Sequence, residues 1–539
     1  MINIYQLFPR LFGNRNTHCV KQGSINENGC GHFADIDDNA LKALSGLGFS
    51  HIWLTGVLRH ATQTEYNDIG LKGNHPNITK GKAGSPYSIT DYYDLDPDLA
   101  ENPSERMSEF EQLVDRIHSF GIKVIIDFVP NHLSREYHSH RDDIEQFGKH
   151  DNDKVFFSPD NNFYYCPGQD FVAPVATCDD AYHETPAKAT GNDVFRPNPS
   201  INDWYDTVKL NYGIDYGDGS RHFDHIPDTW NKMLHIVKFW CSKGVDGFRI
   251  DMAEMVPVEF WRWLIANVKS AYNVLFIAEI YQPGLYSGFI EAGFDYLYDK
   301  MDFYNTVERV MTGNASASAI SDVWKRLNGH DDKMLRFMEN HDEKRLASPH
   351  FLGDAYVARP AMVLAALMNK GPLMIYNGQA CGEPALGAQG YSGDDGRTSI
   401  FDYCAMPNLQ RWINGGLFDG ALLDEGQKGL FDFYKELLVL RNGNEAFCEG
   451  AFYDLMWCNP WYSHFDPQFV YAFLRYTDKQ RVLVVVNFNR HESRTVQVKI
   501  PADALELMGM KRSSGGMDDF DGDVYEVCLP PSGFKMLYL

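Results

Sequence analysis

The sequence predicts a (β/α)8 TIM barrel with two additions, an inserted domain after the third strand and a C-terminal antiparallel β domain. Three observations predict it. Strand-length apolar runs alternate with helix-length segments up to about residue 440. Eight such runs lie near residues 4, 53, 125, 249, 277, 296, 336 and 374, and continuous apolar strands separated by helices mean a closed parallel sheet. Two stretches break the rhythm. Residues 133–227 are rich in Asn, Asp, Pro and His, and residues 442–539 read as antiparallel strands joined by turns.

Taken in order, the first strand is the opening run INIYQLFPRLF. A helix starts at Asp37, repeats Leu41, Leu44 and Leu47 at helical spacing, and stops at Gly48. His51 to Val57 is the second strand. The next helix takes Asn102 as N-cap, Pro103 in its first turn and Glu105 as reciprocal capping residue. Met107, Phe110, Leu113, Val114 and Ile117 are its apolar stripe and Gly121 its stop. Lys123 to Val129 is the third strand. After the insertion a helix from Asp228 to about Lys243 leads to the strand ending at Asp251. A helix around Phe260 to Val268 then leads to the strand Val274–Glu279. Phe294–Tyr298, Met334–Met338 and Pro372–Tyr376 complete the eight, and the last barrel helix runs from about Gln427 to Arg441. The domains are therefore 1–132 with 228–441 (barrel), 133–227 (insertion) and 442–539 (C-terminal β domain). In the last of these FVYAFLRY, RVLVVVNF, RTVQVKI and GFKMLYL are the strands.

Composition narrows the function. The 539 residues carry a formal charge of −24, which argues against nucleic acid or an anionic membrane as partner. No apolar run is long enough to span a bilayer. The N-terminus lacks the pattern of a signal peptide, so a cytoplasmic location is expected, although a trimmed secreted chain would look the same. The ten cysteines form no CxxC pair, and Cys241, Cys381, Cys404 and Cys528 sit in apolar or helical context, as buried thiols do. Cys19 with Cys30, or Cys166 with Cys178, are the loop pairs that remain open. A monomer or small homo-oligomer is expected.

Active sites of such barrels lie where strands end at the C-terminal face. Polar residues there are Asp127, Asn131 and His132 after the third strand, and Arg249 and Asp251 on the fourth. Glu279 ends the fifth strand, and Glu339, Asn340, His341 and Asp342 follow the seventh. Arg249 and Asp251 are two apart on a strand and share a face. The cation holds Asp251 ionised, as a nucleophile requires. Glu279 follows Phe-Ile-Ala, an apolar setting that keeps a proton available. One ionised and one protonated carboxyl is the pairing of glycoside hydrolysis, and adjacent strands about 4.8 Å apart favour the retaining geometry.

The ordered segments DFVPNH, GVDGFRID, FIAE and FMENHD are together a specific signature, and the chain resembles the α-amylase superfamily, glycoside hydrolase family 13. IYQLFPRLF, FSHIWLTGV, YSITDYYDLDP and GPLMIYNGQ extend the likeness over nearly the whole chain. The resemblance implies Asp251 as nucleophile, Glu279 as general acid/base and Asp342 as third carboxylate. It places Tyr87, Asp127, His132, Arg249 and His341 around the reacting glucose, with Tyr87 stacked on the sugar. It implies a retaining hydrolase of α-1,4 bonds in malto-oligosaccharides or related α-glucans. The alternatives are a transglycosylase, an α-glucosidase for α-1,6 or sucrose-type bonds, and, from another class, a binding module that has lost catalysis. The chain keeps every catalytic residue, which disfavours the last.

Departures from the family pattern carry expectations too. Glu254 and Met255 stand where the family often has Lys-His, so Glu254 is a candidate acceptor-side residue. Ser85 stands where a sugar-binding histidine is usual. No cofactor is required. In the loop Ser24–His32 the family's acidic calcium ligands are Ser24, Asn28 and His32, which does not support calcium there. Asn131 remains a candidate calcium ligand together with aspartates of the insertion. Of the insertion's aromatics Phe156, Phe157, Tyr164, Tyr165, Trp204 and Tyr205, most are expected to be core and the remainder sugar platforms.

Overall fold

The computed structural model describes residues 1–386, 393–511 and 520–539. Eight parallel strands form one sheet: β1 (Asn3–Leu7), β2 (His51–Leu54), β3 (Lys123–Phe128), β4 (Gly247–Ile250), β5 (Leu275–Ala278), β6 (Tyr296–Tyr298), β7 (Met334–Leu335) and β8 (Leu373–Tyr376). Their order is β7-β6-β5-β4-β3-β2-β1-β8. A parallel bridge from Arg336 to Leu373 joins the two edges and closes the barrel. All eight strands fall where the apolar runs place them. β7 is shorter than expected, because the chain beyond Arg336 leaves the ladder.

The helices follow their sequence signals. α1 (Asp38–Leu47) has Asp37 as N-cap, its carboxylate accepting from Ala40 N, and ends at Gly48 with φ +92°. That left-handed turn is the place a helix stop needs glycine. α2 (Arg106–Ser119) buries Phe110, Leu113, Val114 and Ile117, with Asn102 capping the short turn before it. The reciprocal cap is Glu109 rather than Glu105: its carboxylate accepts from the backbone N–H of Glu101 and of Asn102, both at 2.8 Å. The extra turn Pro103–Glu105 moves the helix start along by one turn. α3 (Asp228–Ser242) and α4 (Val258–Lys269) match their predicted spans.

Between β2 and α2 an antiparallel hairpin, Leu58–His60 with Ile89–Leu95, stands beside the barrel mouth and carries Tyr87 at its base. The insertion is rooted by a ribbon of His132–Ser134 with Thr207–Lys209, and has a second small ribbon, Tyr165–Cys166 with Ala187–Lys188. Tyr164, Tyr165 and Tyr205 are buried in it.

The C-terminal sheet is antiparallel and four-stranded, in the order Ala451–Asp454, Val470–Tyr476, Arg481–Asn487, Phe534–Tyr538. A separate ribbon pairs Arg494–Pro501 with Gly522–Leu529. The strands at 451 and 522 were not among those read from the sequence. The sheet covers the outer face of α5 (Arg359–Leu367), which is why this helix is apolar all round and buried from Pro360 to Leu367. All ten cysteines are free thiols. Cys528 is exposed, not buried: on its strand Val527 and Leu529 turn inward and Cys528 outward, as the two-residue strand period dictates. Among the described residues no helix is long and apolar enough to cross a membrane.

Candidate active site

The C-terminal ends of the barrel strands converge on Arg249. On β4 it is two residues before Asp251, and both lie on the inner face. β4 is laterally paired with β3 (Arg249 opposite Asp127) and with β5 (Ile250 opposite Ala278). Asp127, Asp251 and Glu279 therefore surround one cation. The guanidinium donates to Asp251 Oδ1 at 2.8 Å, and its other arm meets Glu279 Oε1 at 2.8 Å. Asp127 Oδ1 is 3.6 Å away, and Nε donates to the Tyr298 hydroxyl at 3.2 Å. The Trp53, Tyr87 and Tyr298 rings pack around the cation with centroids 5.3–5.5 Å off. These negative charges offset the cost of taking the guanidinium out of water.

The carboxylates are individually held. Met252 adopts φ +44°, unusual for a side chain of its size. The turn it makes aims its N–H at Glu279 Oε2, at 2.8 Å. Tyr281 donates its hydroxyl to Glu279 Oε1 at 2.6 Å. Asp127 Oδ2 accepts from Trp53 Nε1 and Gly56 N at 3.1 and 3.2 Å. His341 sits face to face with Tyr87, ring centroids 5.2 Å apart. Its Nε2 is 2.6 Å from the Tyr87 hydroxyl and 3.1 Å from Asp342 Oδ2, and its Nδ1 contacts Gln6.

Burial sets the protonation. It pushes Asp342 up, and it raises Asp127 to about 6 against the pull of Arg249. It lowers His132 and His341 to about 3, so both rings are neutral. Burial and the adjacent Glu279 charge raise Asp251, and Arg249 opposes them. The cation is shared, one arm on Asp251 and the other on Glu279, so its attraction is divided between the two carboxyls.

A cavity of about 260 Å³ is lined by Asp251, Glu279, Asp342, Tyr87 and His132, and by Lys80, Ser85, Trp204, Asp206, Thr207, Met252, Tyr281, Ile400 and Phe401. The structure thus brings together Asp251, Glu279, Asp342, Tyr87 and His132 on the wall, with Arg249, Asp127 and His341 directly behind it. Of the six insertion aromatics under consideration, Trp204 is the one that lines the cavity, its ring 5.1 Å from that of His132. Ser85 turns back to accept from Tyr87 N at 3.3 Å.

Glu254 is not in the wall. One of its carboxylate oxygens accepts from the backbone N–H of Tyr281 and of Gln282, both at 2.9 Å, and so ties down the loop after β5. Tyr281, the ion pair of Lys80 with Asp206 (2.9 Å), Ile400 and Phe401 were missed by sequence reasoning. They lie on loops, where no periodicity marks a side chain as facing the site. For Tyr281 alone a signal existed, its place two residues after Glu279.

Asn131 gives its side-chain oxygen to the Lys209 ammonium. In the Ser24–His32 loop the Asn28 side chain is spent on the backbone of Val20 and Tyr403. Among the described residues no group of three His, Cys, Asp or Glu is disposed to hold a metal ion.

Comparison with known proteins follows the same lines. A family model for the alpha-amylase catalytic domain matches residues 6–399. Neopullulanase 2 of Thermoactinomyces vulgaris is 26% identical over 436 residues, covering 77% of this chain and 59% of that protein. Cyclomaltodextrinase of Thermoanaerobacter pseudethanolicus is 23% identical over 528 residues, 95% of this chain and 74% of the relative. The crystal structure of a cyclic alpha-maltosyl-(1→6)-maltose hydrolase from Arthrobacter globiformis superposes with a TM-score of 0.62 at 18% identity, covering 100% of this chain and 99% of that one. The last of these likenesses speaks to the fold. The family match runs from the end of the first barrel strand to beyond the eighth, well over half of the sequence, and this chain belongs to the alpha-amylase family.

Proposed function

We propose that the protein is a retaining glycoside hydrolase that cleaves α-1,4-glucosidic bonds of malto-oligosaccharides or related α-glucans. One observation carries the reading: Asp251 and Glu279, at neighbouring positions of adjacent strands, share the two arms of one buried guanidinium at the floor of a cavity. Adjacent strands are about 4.8 Å apart, which matches the short carboxyl separation of retaining enzymes rather than the longer one of inverting enzymes. The names of the relatives point to α-glucan substrates as well.

In this mechanism Asp251 Oδ attacks the anomeric carbon while Glu279 gives its proton to the departing glycosidic oxygen. The C–O bond to the leaving sugar breaks and a glycosyl ester on Asp251 forms. Glu279, now ionised, takes a proton from water, whose oxygen displaces Asp251 with a second inversion. Arg249 steadies both carboxylates through this exchange of charge. Tyr87 offers its ring to the sugar, and Asp342 and His132 offer hydrogen-bonding groups to its hydroxyls.

The test is product analysis on maltotetraose. The first-formed reducing end should be the α-anomer by proton NMR, and a slow 5-fluoroglycosyl fluoride should leave its mass on the peptide containing Asp251. A β-anomer, or equal turnover by wild type, Asp251→Ala and Glu279→Gln, defeats the assignment. Products longer than the substrate shift it to a transglycosylase.

A further inference from the structure

Three segments meet beneath the cavity at the root of the insertion. Asn131 follows β3 and immediately precedes His132. Met255 closes the short turn Ala253–Met255 after Asp251. Asp193 belongs to the insertion. Lys209 reaches into their midst from the ribbon strand Thr207–Lys209, where it pairs directly with His132. Its side chain is 2% exposed. The ammonium donates to Asn131 Oδ1 and to the Met255 carbonyl oxygen at 3.3 Å, and it meets Asp193 Oδ1 at 2.7 Å.

An amide oxygen, a backbone carbonyl and a carboxylate, drawn from three separate segments, are the donor set of a hard cation site. Here the positive centre is covalent, and its three N–H groups match three oxygens. A divalent ion entering the cage would be set against the ammonium within a few ångströms, in a buried place where like charges repel strongly. The cage is therefore complete without metal.

We propose that Lys209 is a built-in cation. It clamps the insertion to the barrel where a divalent metal would otherwise do so, and it positions the two cavity-wall segments Asn131–His132 and Met252–Met255. The inference does not depend on which glucan bond is cleaved, and its readouts need no substrate, so its failure and the failure of the proposed activity are separable.

Thermal melting and calcium titration calorimetry, on chelator-stripped protein, test it. Wild type should bind no calcium at this cage and melt at one temperature with chelator or with millimolar calcium. Lys209→Ala, stripped, should melt several degrees lower. Calcium should bind it at one site and recover most of the loss, an outcome that a lysine serving only as packing would not give. The proposal is overturned if wild type is stabilised by calcium bound at one site, or if stripped Lys209→Ala melts like wild type. It is equally overturned if the variant's loss is indifferent to calcium. Should Lys209→Ala not fold, Lys209→Asp prepared in calcium replaces it. That variant should be folded with the metal and unfold on chelation; folding that ignores chelator, or no folding with calcium, counts against the clamp.

Discussion

Two regions of this molecule bury arginines, and they do so in opposite ways. At the barrel mouth Arg249 is ringed by Asp127, Asp251 and Glu279, and against the cost of burial Glu279 and Asp251 raise its affinity for its proton. At the junction with the C-terminal domain Arg441 and Arg475 are as deeply buried, yet they hydrogen-bond to neutral groups. Arg441 donates to the carbonyls of Ala366 and Gly371 and to Asn3 Oδ1; Arg475 donates to those of Leu367, Phe447 and Gly450. Burial lowers them to about 9 and about 10. Ala366 and Leu367 end α5, so both arginines cap the carbonyl end of one helix, where its dipole is negative. One region gathers charge in excess of what packing needs. The other uses charge as glue between a helix end and a sheet. The first arrangement serves chemistry and the second holds domains together, and the variants below separate them.

The largest effect is expected at the mouth. Arg249→Lys keeps a positive charge but loses the fork that serves two carboxylates at once. Turnover should fall about 10³-fold, the scale of losing a preorganised electrostatic contact, while far-ultraviolet circular dichroism stays that of wild type. Turnover within a factor of ten of wild type would mean that the shared guanidinium is structural after all.

Next comes the junction. Arg475→Met leaves three carbonyls without their donor and should cost roughly 2 kcal/mol, seen as an earlier denaturant midpoint. Turnover per folded molecule should stay at the wild-type level. A fall in turnover with no loss of stability would erase the distinction between the two regions.

That distinction was legible in the sequence on one side only. Arg249 announced itself, because a charged pair two residues apart on an apolar strand must face a polar interior. The strands were legible because buried parallel strands are continuous apolar runs. Arg475 did not stand out: in FVYAFLRY a single arginine near a strand end looks like a solvent-facing residue, and only the sheet's placement against α5 buries it. Lys209 was hidden likewise, since an inward lysine on a three-residue strand reads the same as an outward one. The hairpin bearing Tyr87 mixes aspartates with buried tyrosines and isoleucine, so no period marked it. Phe401 and Asp206 enter the site through loops far apart in the chain, a juxtaposition that local pattern does not encode.

The dependence on pH sharpens the same comparison. Asp127 is raised from 3.8 to about 6 by burial. Between those values the folded chain holds a proton that the unfolded chain has released. This group's contribution therefore makes stability fall as pH rises from about 4 to about 6, and leaves it level above. Across the window that is on the order of 2–3 kcal/mol. Asp96 and Asp98, in a second buried cluster, are raised to about 6 too and act with the same sign. The junction arginines do not titrate in this range. Urea unfolding of Arg475→Met from pH 4 to 7 should therefore run parallel to wild type, displaced downward, whereas Asp127→Asn should show a shallower slope. Equal slopes in Asp127→Asn and wild type would remove Asp127 from the account.

The smallest effect belongs to the edge of the charged cluster. Tyr281 donates to the Glu279 oxygen that also meets Arg249. Burial and the Glu279 charge hold the Tyr281 hydroxyl well above its ordinary range, so it remains a donor at every working pH. A donor to a carboxylate favours the ionised form. Tyr281→Phe withdraws that hydrogen bond from the carboxyl proposed to protonate the leaving group. Turnover at the optimum should fall about fivefold, as loss of one hydrogen bond worth ~1 kcal/mol implies. Glu254→Gln, which loosens the same loop by weakening its hold on Tyr281 N, should reproduce part of the fall. If Tyr281→Phe turns over maltotetraose as fast as wild type, the hydroxyl does nothing for Glu279, and the charged cluster ends one residue earlier.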